Sequence, residues 1–497
     1  MTGWRRHLGC FLLGAGLALA QAPTSLFYIP LLALPCFAWL AMTAPTRASG
    51  TFAGWLSGLG YFAFGLVWLV EPFLVDAAKT GWMAPFALFL MSAGLALFWA
   101  AAFWLAYTVG ASYRQRVLAL VVFLGLAEFA RAHLFTGFPW NLLAYGWIDT
   151  PVAQLLSLVG PHGLGLLTML VVILPLLMIR RPYLAFGPML ALIVAAWAWG
   201  AARLPAPEEI PMTDTTVRII QPNAAQALKW RDDMVGVFFE RQLSMTRAPG
   251  IGAVDVVIWP ETGLPFFLGE DDFAMRRVAE ATGPDAQLIA GIRRYEDGRY
   301  YNSLVHLDAQ GQVTDVYDKH HLVPFGEYFP FASLAEKLGL TALAAKMDGF
   351  SGGSGPRILT DDGLPPYLPM ICYEAIFPGD AQAQHGRPDW LVHITNDAWF
   401  GKFSGPYQHL VQVRARAIEQ GLPVARAANT GVSGIIGPHG RMLWSLPLGE
   451  AGSFDARLPA PLPVTPYVKW GEWPWLAASL LLLAGALLRR QMQTWPA

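Results

Sequence analysis

The run Leu368-Pro369-Met370-Ile371-Cys372-Tyr373-Glu374 leads a short apolar stretch straight into a cysteine and then a carboxylate. Short β-branched or aromatic runs with turn signals nearby read as strands, and this one predicts a strand over 368–372 that delivers Cys372 at its end. Further runs of the same kind lie at 217–220, 254–259, 288–292, 303–307 and 390–394. Longer amphipathic stretches, at 232–246 and 408–420, separate some of them. Strands alternating with helices predict an α/β layered domain. In such sheets reactive side chains gather beyond the C-terminal ends of the strands.

Two other motifs fit that placement. Trp259-Pro260-Glu261-Thr262 ends one predicted strand, and Tyr317-Asp318-Lys319-His320-His321-Leu322-Val323-Pro324-Phe325-Gly326-Glu327 follows later in the same polar segment. With Cys372 they supply a carboxylate, an amine and a thiol. A thiol attacks a carbonyl efficiently only as thiolate, so it needs a base or a positive charge close by. Glu261 can take the thiol proton and return it to a leaving group. Lys319 can stabilise the thiolate and the oxyanion of a tetrahedral intermediate. Each residue has a plainer reading by itself: a buried cysteine is usually packing, and a strand-end glutamate or a lysine in a turn is usually solvated. Their joint occurrence narrows the chemistry to acyl transfer through a thioester.

The 497-residue chain is 55% hydrophobic and only 14% charged, against about 25% charged in soluble domains. The deficit is local, because residues 1–203 hold nearly all the uncharged apolar runs while 212–458 has an ordinary composition. A net charge of -1 offers no basic footprint for a nucleic-acid partner, and none is expected. Cys10 and Cys36 lie in apolar segments and read as buried, inert thiols. Cys372 therefore stands alone in the polar segment, with no disulfide framework implied.

A membrane span needs about 20 predominantly apolar residues. Residues 83–109 meet this without any charge, and 52–70, 152–179 and 182–202 nearly as clearly. Residues 117–134 carry Glu128 and Arg131 near the outer end, where snorkelling to the interface accounts for both. Residues 8–22 and 25–42 predict a tight helical hairpin, and 473–488 a last short span. The sum is about eight spans, about seven of them before the polar segment. Arg5-Arg6, an apolar run and Ala18-Leu19-Ala20 also fit a cleaved signal peptide, but the spans that follow at once favour an uncleaved helix. Arg5, Arg6, Arg47, Arg114, Arg116, Arg180, Arg181, Arg489 and Arg490 fall on one side, and only Lys79, Arg131 and Arg203 on the other. The positive-inside rule then predicts cytoplasmic termini. The expected organisation is a transmembrane domain over 1–211, an external catalytic domain over 212–458, and a linker with a C-terminal helix over 459–497.

The three motifs resemble those of the nitrilase superfamily, over Val217 to Arg457. With its flanking spans, the whole layout resembles one membrane branch, the bacterial apolipoprotein N-acyltransferases. That resemblance implies an αββα sandwich in which Glu261 is the general base, Lys319 the electrophilic stabiliser and Cys372 the nucleophile. It implies supporting roles for Glu327, Tyr373 and Glu374. Trp230, Asn302, Asn396, Trp399 and Phe350 fall at positions that line or flank the family's substrate site. Bland readings, as core aromatics or a strand-end amide, stay open for Trp230, Asn302 and Trp399. The implied reaction moves the sn-1 acyl chain of a phospholipid, with phosphatidylethanolamine the expected donor, onto the N-terminal amine of a diacylglyceryl-cysteine apolipoprotein. It also implies an enzyme of the bacterial inner membrane with its catalytic domain in the periplasm, and a monomer is expected.

Residues 338–356 are the candidate lid, an apolar half followed by Gly349-Phe350-Ser351-Gly352-Gly353-Ser354-Gly355-Pro356, whose glycines would permit a hinge. Two rival functions remain: a membrane-tethered amidase with the same triad and water as acceptor, and a transporter with an external binding domain. A metal hydrolase finds little support. His320, His321, His393 and His409 lack the His-Glu-x-x-His spacing, and adjacent histidines on a strand face opposite ways. No metal or cofactor is implied.

Overall fold

The computed structural model describes residues 3–178, 181, 183–330, 349–383 and 385–494. The chain forms two compact units. One comprises Met1–Pro205, Phe403–Glu419 and Val464–Ala497; the other comprises Ala206–Lys402 and Gln420–Pro463. Phe403–Glu419 therefore belongs with the first unit although it lies within 212–458.

In the first unit, among the described residues, the helical segments Ala77–Val109, Pro151–Val172 and Tyr183–Arg203 are long and apolar enough to cross a membrane. The pair Arg47–Gly65 and Val67–Leu74, bent by 64°, adds a fourth if it is one span, and Ile29–Met42 and Trp473–Gly485 are shorter apolar helices. The expected hairpin becomes Gly3–Leu17 and Ile29–Met42, and the span over 117–134 becomes the helix Tyr113–His133. The expected count of about eight spans goes beyond what helix length and apolarity establish.

Two expectations change here. Glu128 and Arg131 do not snorkel: both are buried and joined by an ion pair of 2.6 Å. Trp99 Nε1 donates to Glu128 at 2.7 Å, while Arg131 donates to the carbonyls of Phe138 and, at 2.8 Å, Trp140. The segment after the helix folds back and supplies those acceptors, which lets the charges stay inside. Cys36 is exposed on its helix, whereas Cys10 is buried as expected. Gln408, in the returning helix Gly405–Gln420, accepts from Trp140 Nε1 at 2.7 Å and donates to the Gly65 and Ala22 carbonyls.

The second unit is built on twelve strands among the described residues. They are β1 (Met212–Gln221), β2 (Val256–Ile258), β3 (Gln287–Glu296), β4 (Arg299–Leu307), β5 (Val313–Asp318), β6 (Leu359–Asp361), β7 (Leu364–Ile371), β8 (Trp390–Thr395), β9 (Val424–Ala428), β10 (Ser433–Ile436), β11 (Met442–Leu446) and β12 (Gly452–Pro459). The strands form two six-stranded sheets, ordered β12-β1-β2-β3-β4-β5 and β11-β10-β9-β8-β7-β6. Three central strands of each sheet run parallel, β1-β2-β3 and β7-β8-β9, with antiparallel partners outside them.

Alternation along the strands explains the layering. Ile289 on β3 points to the core shared with the second sheet, where Ile258, Leu304, Tyr367, Trp390 and Ile394 also meet. Its neighbours Leu288 and Ala290 point the other way, onto a core with Phe239 and Leu243 of the helix Asp232–Thr246 and Val278 of the helix Asp272–Thr282. β2, β5 and β7 then end close together, and each end leads directly into one of the three motifs.

Candidate active site

Glu261 follows β2 on a turn that lies hard against β3. A Cβ on Gly291 would sit 2.6 Å from the Glu261 Cα, so only glycine lets the turn approach this closely. The carboxylate is buried and fully engaged. Its Oε1 accepts from Asn302 Nδ2 at 2.7 Å and meets Lys319 Nζ at 3.5 Å, and its Oε2 accepts from the Asn396 backbone N–H at 2.8 Å.

Lys319 is the first residue after β5, and 1% of its surface is exposed. Its ammonium donates to Glu327 Oε1 at 2.9 Å. Burial by itself would lower its proton affinity, but Glu327, then Glu261 and Cys372, outweigh that and hold it above the usual lysine range. It is therefore a fixed cation. Glu327 is itself positioned by the Val323 N–H at 2.8 Å and by Asn302 Nδ2 at 3.0 Å. Since Asn302 faces two carboxylates, its amide nitrogen must point toward them. Its Oδ1 is buried with no hydrogen-bond partner among the described residues.

Cys372 directly follows β7 at φ +50°, a left-handed backbone that costs a non-glycine residue about 1–3 kcal/mol. Strain of this kind recurs where a side chain must project from a strand end. Burial raises the thiol's proton affinity, Glu261 raises it further, and Lys319 and a bond to Thr395 oppose them, leaving it well above the ordinary thiol value. At rest the group is a thiol that needs its base. Glu374 ties the nucleophile turn to the lysine segment, accepting from Ile371 N–H at 2.6 Å, His320 N–H at 2.8 Å and Tyr317 Oη at 3.0 Å. Tyr373 packs edge-on against Phe377 and His321.

A buried polar chain backs the nucleophile, and sequence reading did not find it. Arg426 on β9 donates to His393 Nδ1 at 2.6 Å and to Asp397 at 2.5 Å, and Asp397 accepts from Thr395 Oγ1 at 2.9 Å. A guanidinium can only donate, so Nδ1 carries the lone pair and Nε2 the proton. His393 Nε2 thus donates to the Cys372 carbonyl, at 3.1 Å. Lys229 was also missed, although it adjoins the noted Trp230. Its ammonium donates to the Glu261 carbonyl at 3.1 Å and to Thr262 Oγ1 at 2.6 Å. Burial pulls Lys229 down to about 8; Glu261 opposes the fall and Arg293 adds to it.

Among the remaining sequence candidates, Asn302 stands at the centre. Asn396 reaches Glu261 through its backbone, while its side chain is taken up by Gln226 and Asn429, each at 2.8 Å. Trp230 and Trp399 are partly exposed. Phe350 is anchored by its N–H to the Glu327 carbonyl at 2.8 Å. Positions 338–348 of the candidate lid lie outside the described residues. The glycine-rich end is docked: Gly353 N–H donates to the Lys319 carbonyl at 2.9 Å, and a Cβ there would stand 2.2 Å from the Asp318 carbonyl oxygen. Close approach explains that glycine, and Gly353→Ala should displace Lys319 and lower the rate of acyl-enzyme formation at least about tenfold. Stopped-time intact-mass measurements would check this.

His320 and His321 do not face opposite ways. β5 has already ended at Asp318, and both rings turn to Asp380, at 3.2 and 2.9 Å. Burial would lower His320, but Asp380 and Glu374 outweigh it and raise the imidazole from 6.5 to about 10. Because the folded value is the higher one, its contribution to stability is complete below pH 6.5 and lost as pH rises toward about 10. The unfolding midpoint of detergent-purified protein should fall across that window, and less steeply for His320→Gln.

Residues 216–460 match the family model described as carbon-nitrogen hydrolase, and residues 13–174 match the apolipoprotein N-acyltransferase N-terminal domain. A protein named apolipoprotein N-acyltransferase from Rhodopseudomonas palustris is 38% identical, covering 98% of this chain and 96% of its own length. One of the same name from Bradyrhizobium diazoefficiens is 39% identical, covering 98% and 95%. Another from Brucella suis is 37% identical, covering 97% and 94%.

Proposed function

The chain belongs to the apolipoprotein N-acyltransferase family, acyltransferases of lipoprotein biosynthesis with a carbon-nitrogen-hydrolase domain, and on that premise we propose a two-step thioester mechanism on Glu261, Lys319 and Cys372. The observation that carries it is the junction of three strand ends, where one buried ammonium faces both Glu261 and Glu327 beside the strained cysteine. In the first step Glu261 takes the Cys372 proton as Sγ attacks the sn-1 ester carbonyl of a phospholipid. The oxyanion forms against Lys319. Collapse breaks the ester C–O bond, and Glu261 returns the proton to the departing lysophospholipid oxygen.

In the second step the α-amine of a diacylglyceryl-cysteine attacks the thioester. Glu261 accepts the amine proton, the amide forms, and the thiolate leaves and is reprotonated. One site serves both substrates in turn. A resting thiol with raised proton affinity suits this sequence, because it ionises only when the base is engaged.

Membrane residence follows from the substrates. Lifting an acyl chain out of a bilayer costs about 0.8 kcal/mol per CH₂, and a site at the bilayer surface avoids most of that. The proposed setting is the bacterial inner membrane, with about eight spans, a periplasmic catalytic unit, cytoplasmic termini, a monomeric state and phosphatidylethanolamine as donor. Burial of Arg131 in an ion pair removes it from the outer loop charges and sharpens the positive-inside bias. The test is intact mass after incubation with phosphatidylethanolamine, followed by a diacylglyceryl-cysteine peptide. The expected result is a hydroxylamine-labile acyl adduct that the peptide then discharges; lipid bound but uncleaved would sink the mechanism.

A further inference from the structure

Arg293 lies two residues beyond Gly291 on β3, and the mechanism above does not use it. Its cross-strand partner is Asn302, the amide that bridges Glu261 and Glu327. Directly paired residues share a sheet face, so the guanidinium leaves the sheet at the edge of the site. It is held between two rings, 4.4 Å from the Trp230 centroid and 4.6 Å from that of Phe267. Nη2 donates to the Pro265 carbonyl at 3.0 Å. Nε is buried without a hydrogen-bond partner, and among the described residues the ion pairs of this strand fall to the neighbouring Arg294 and not to Arg293. Glu270 acts on it only to oppose the lowering that burial imposes.

Buried donors are normally satisfied, and desolvated cations normally paired. Here two aromatic rings lie against the guanidinium, Pro265 takes Nη2, and Nη1 is left without a hydrogen-bond partner among the described residues. Trp230, Tyr295 and Tyr300 are exposed around it, an apolar rim beside a single fork-shaped cation. That combination suits a molecule with one anionic group and hydrocarbon on either side, and a guanidinium fork matches phosphate oxygens bidentately.

We infer that Arg293 anchors the phosphodiester of the acyl donor, held flat by Trp230 and Phe267 so that the neighbouring ester reaches Cys372. The inference rests on the phospholipid reading of the first step. It sets apart the two half-reactions, because the diacylglyceryl-cysteine acceptor carries no phosphate.

The experiment follows thioester formation by intact mass in detergent-purified full-length protein. Two donors are compared in the same micelles, phosphatidylethanolamine and the uncharged dipalmitoylglycerol. Arg293→Gln should slow formation from phosphatidylethanolamine about 10- to 100-fold at limiting donor, through KM, and leave the rate from dipalmitoylglycerol unchanged. Arg293→Lys, which keeps the charge and loses the fork, should fall between. Equal losses with both donors would mean a merely structural clamp and overturn the assignment. So would inorganic phosphate accelerating the wild-type reaction with dipalmitoylglycerol, which would mark a free-phosphate site. If wild-type protein forms no adduct with either donor, the two-step mechanism itself fails, a separate outcome.

Discussion

Cys372→Ala is expected to remove the acyl adduct entirely and to lower transfer by about four orders of magnitude or more. The nucleophile has no substitute. Among the described residues Cys10 is buried in the first unit and Cys36 sits exposed on a helix there. Nothing else in the constellation changes, since Glu261 is held by Asn302 and the Asn396 N–H, and Lys319 by Glu327. The lost sulfur leaves a void of about one heavy atom, so stability should drop by about 1 kcal/mol. Cys372→Ser is the sharper control, because it keeps a nucleophilic atom at φ +50°. An alkoxide is far harder to form there than a thiolate, and Ser should acylate poorly or not at all. Mass spectrometry of both variants beside wild type measures this, and an adduct on the alanine variant would move the nucleophile elsewhere.

Lys319→Met should be nearly as damaging to catalysis and more damaging to the fold. Oxyanion stabilisation by one placed donor contributes about 100- to 1,000-fold, and the thiol would lose a nearby cation that favours its ionisation. The same change leaves the buried Glu261 and the half-buried Glu327 facing one amide. Breaking a buried pair in this way costs about 3–5 kcal/mol. The double substitution Lys319→Met with Glu327→Gln relieves that repulsion. It should recover much of the melting temperature and none of the activity, which separates the catalytic loss from the structural one.

The legible part of this chain was the part where chemistry and periodicity coincide. Glu261 and Cys372 each follow an apolar run, while Lys319, after the polar β5, was found by its motif; β1, β2, β3, β4, β7 and β8 were recognisable by their apolar runs. β9 was not, because Val424-Ala425-Arg426-Ala427-Ala428 carries an arginine that reads as surface. It is fully buried because Asp397, His393 and the Val432 carbonyl complete it, partners scattered through the sequence. Glu128 and Arg131 misled in the same way: they read as interfacial charges, because no local pattern shows the carbonyls that let them pair inside. Asn396 was read as a substrate-site position and reaches Glu261 through its backbone, which no residue letter encodes. The docking of Gly353 against Asp318 depends on a contact between distant loops that no local pattern announces.

The helix Gly405–Gln420 lies in the chain between β8 and β9, two neighbouring parallel strands of one sheet, yet Phe403–Glu419 belongs to the other unit. The sheet that carries the nucleophile is thus interrupted in sequence by a passage that packs with residues of the other unit. The pairing of β8 with β9 closes only as the chain returns at Gln420. Two cuts, at 206 and 463, would carry away with the sheets a helix whose companions remain behind.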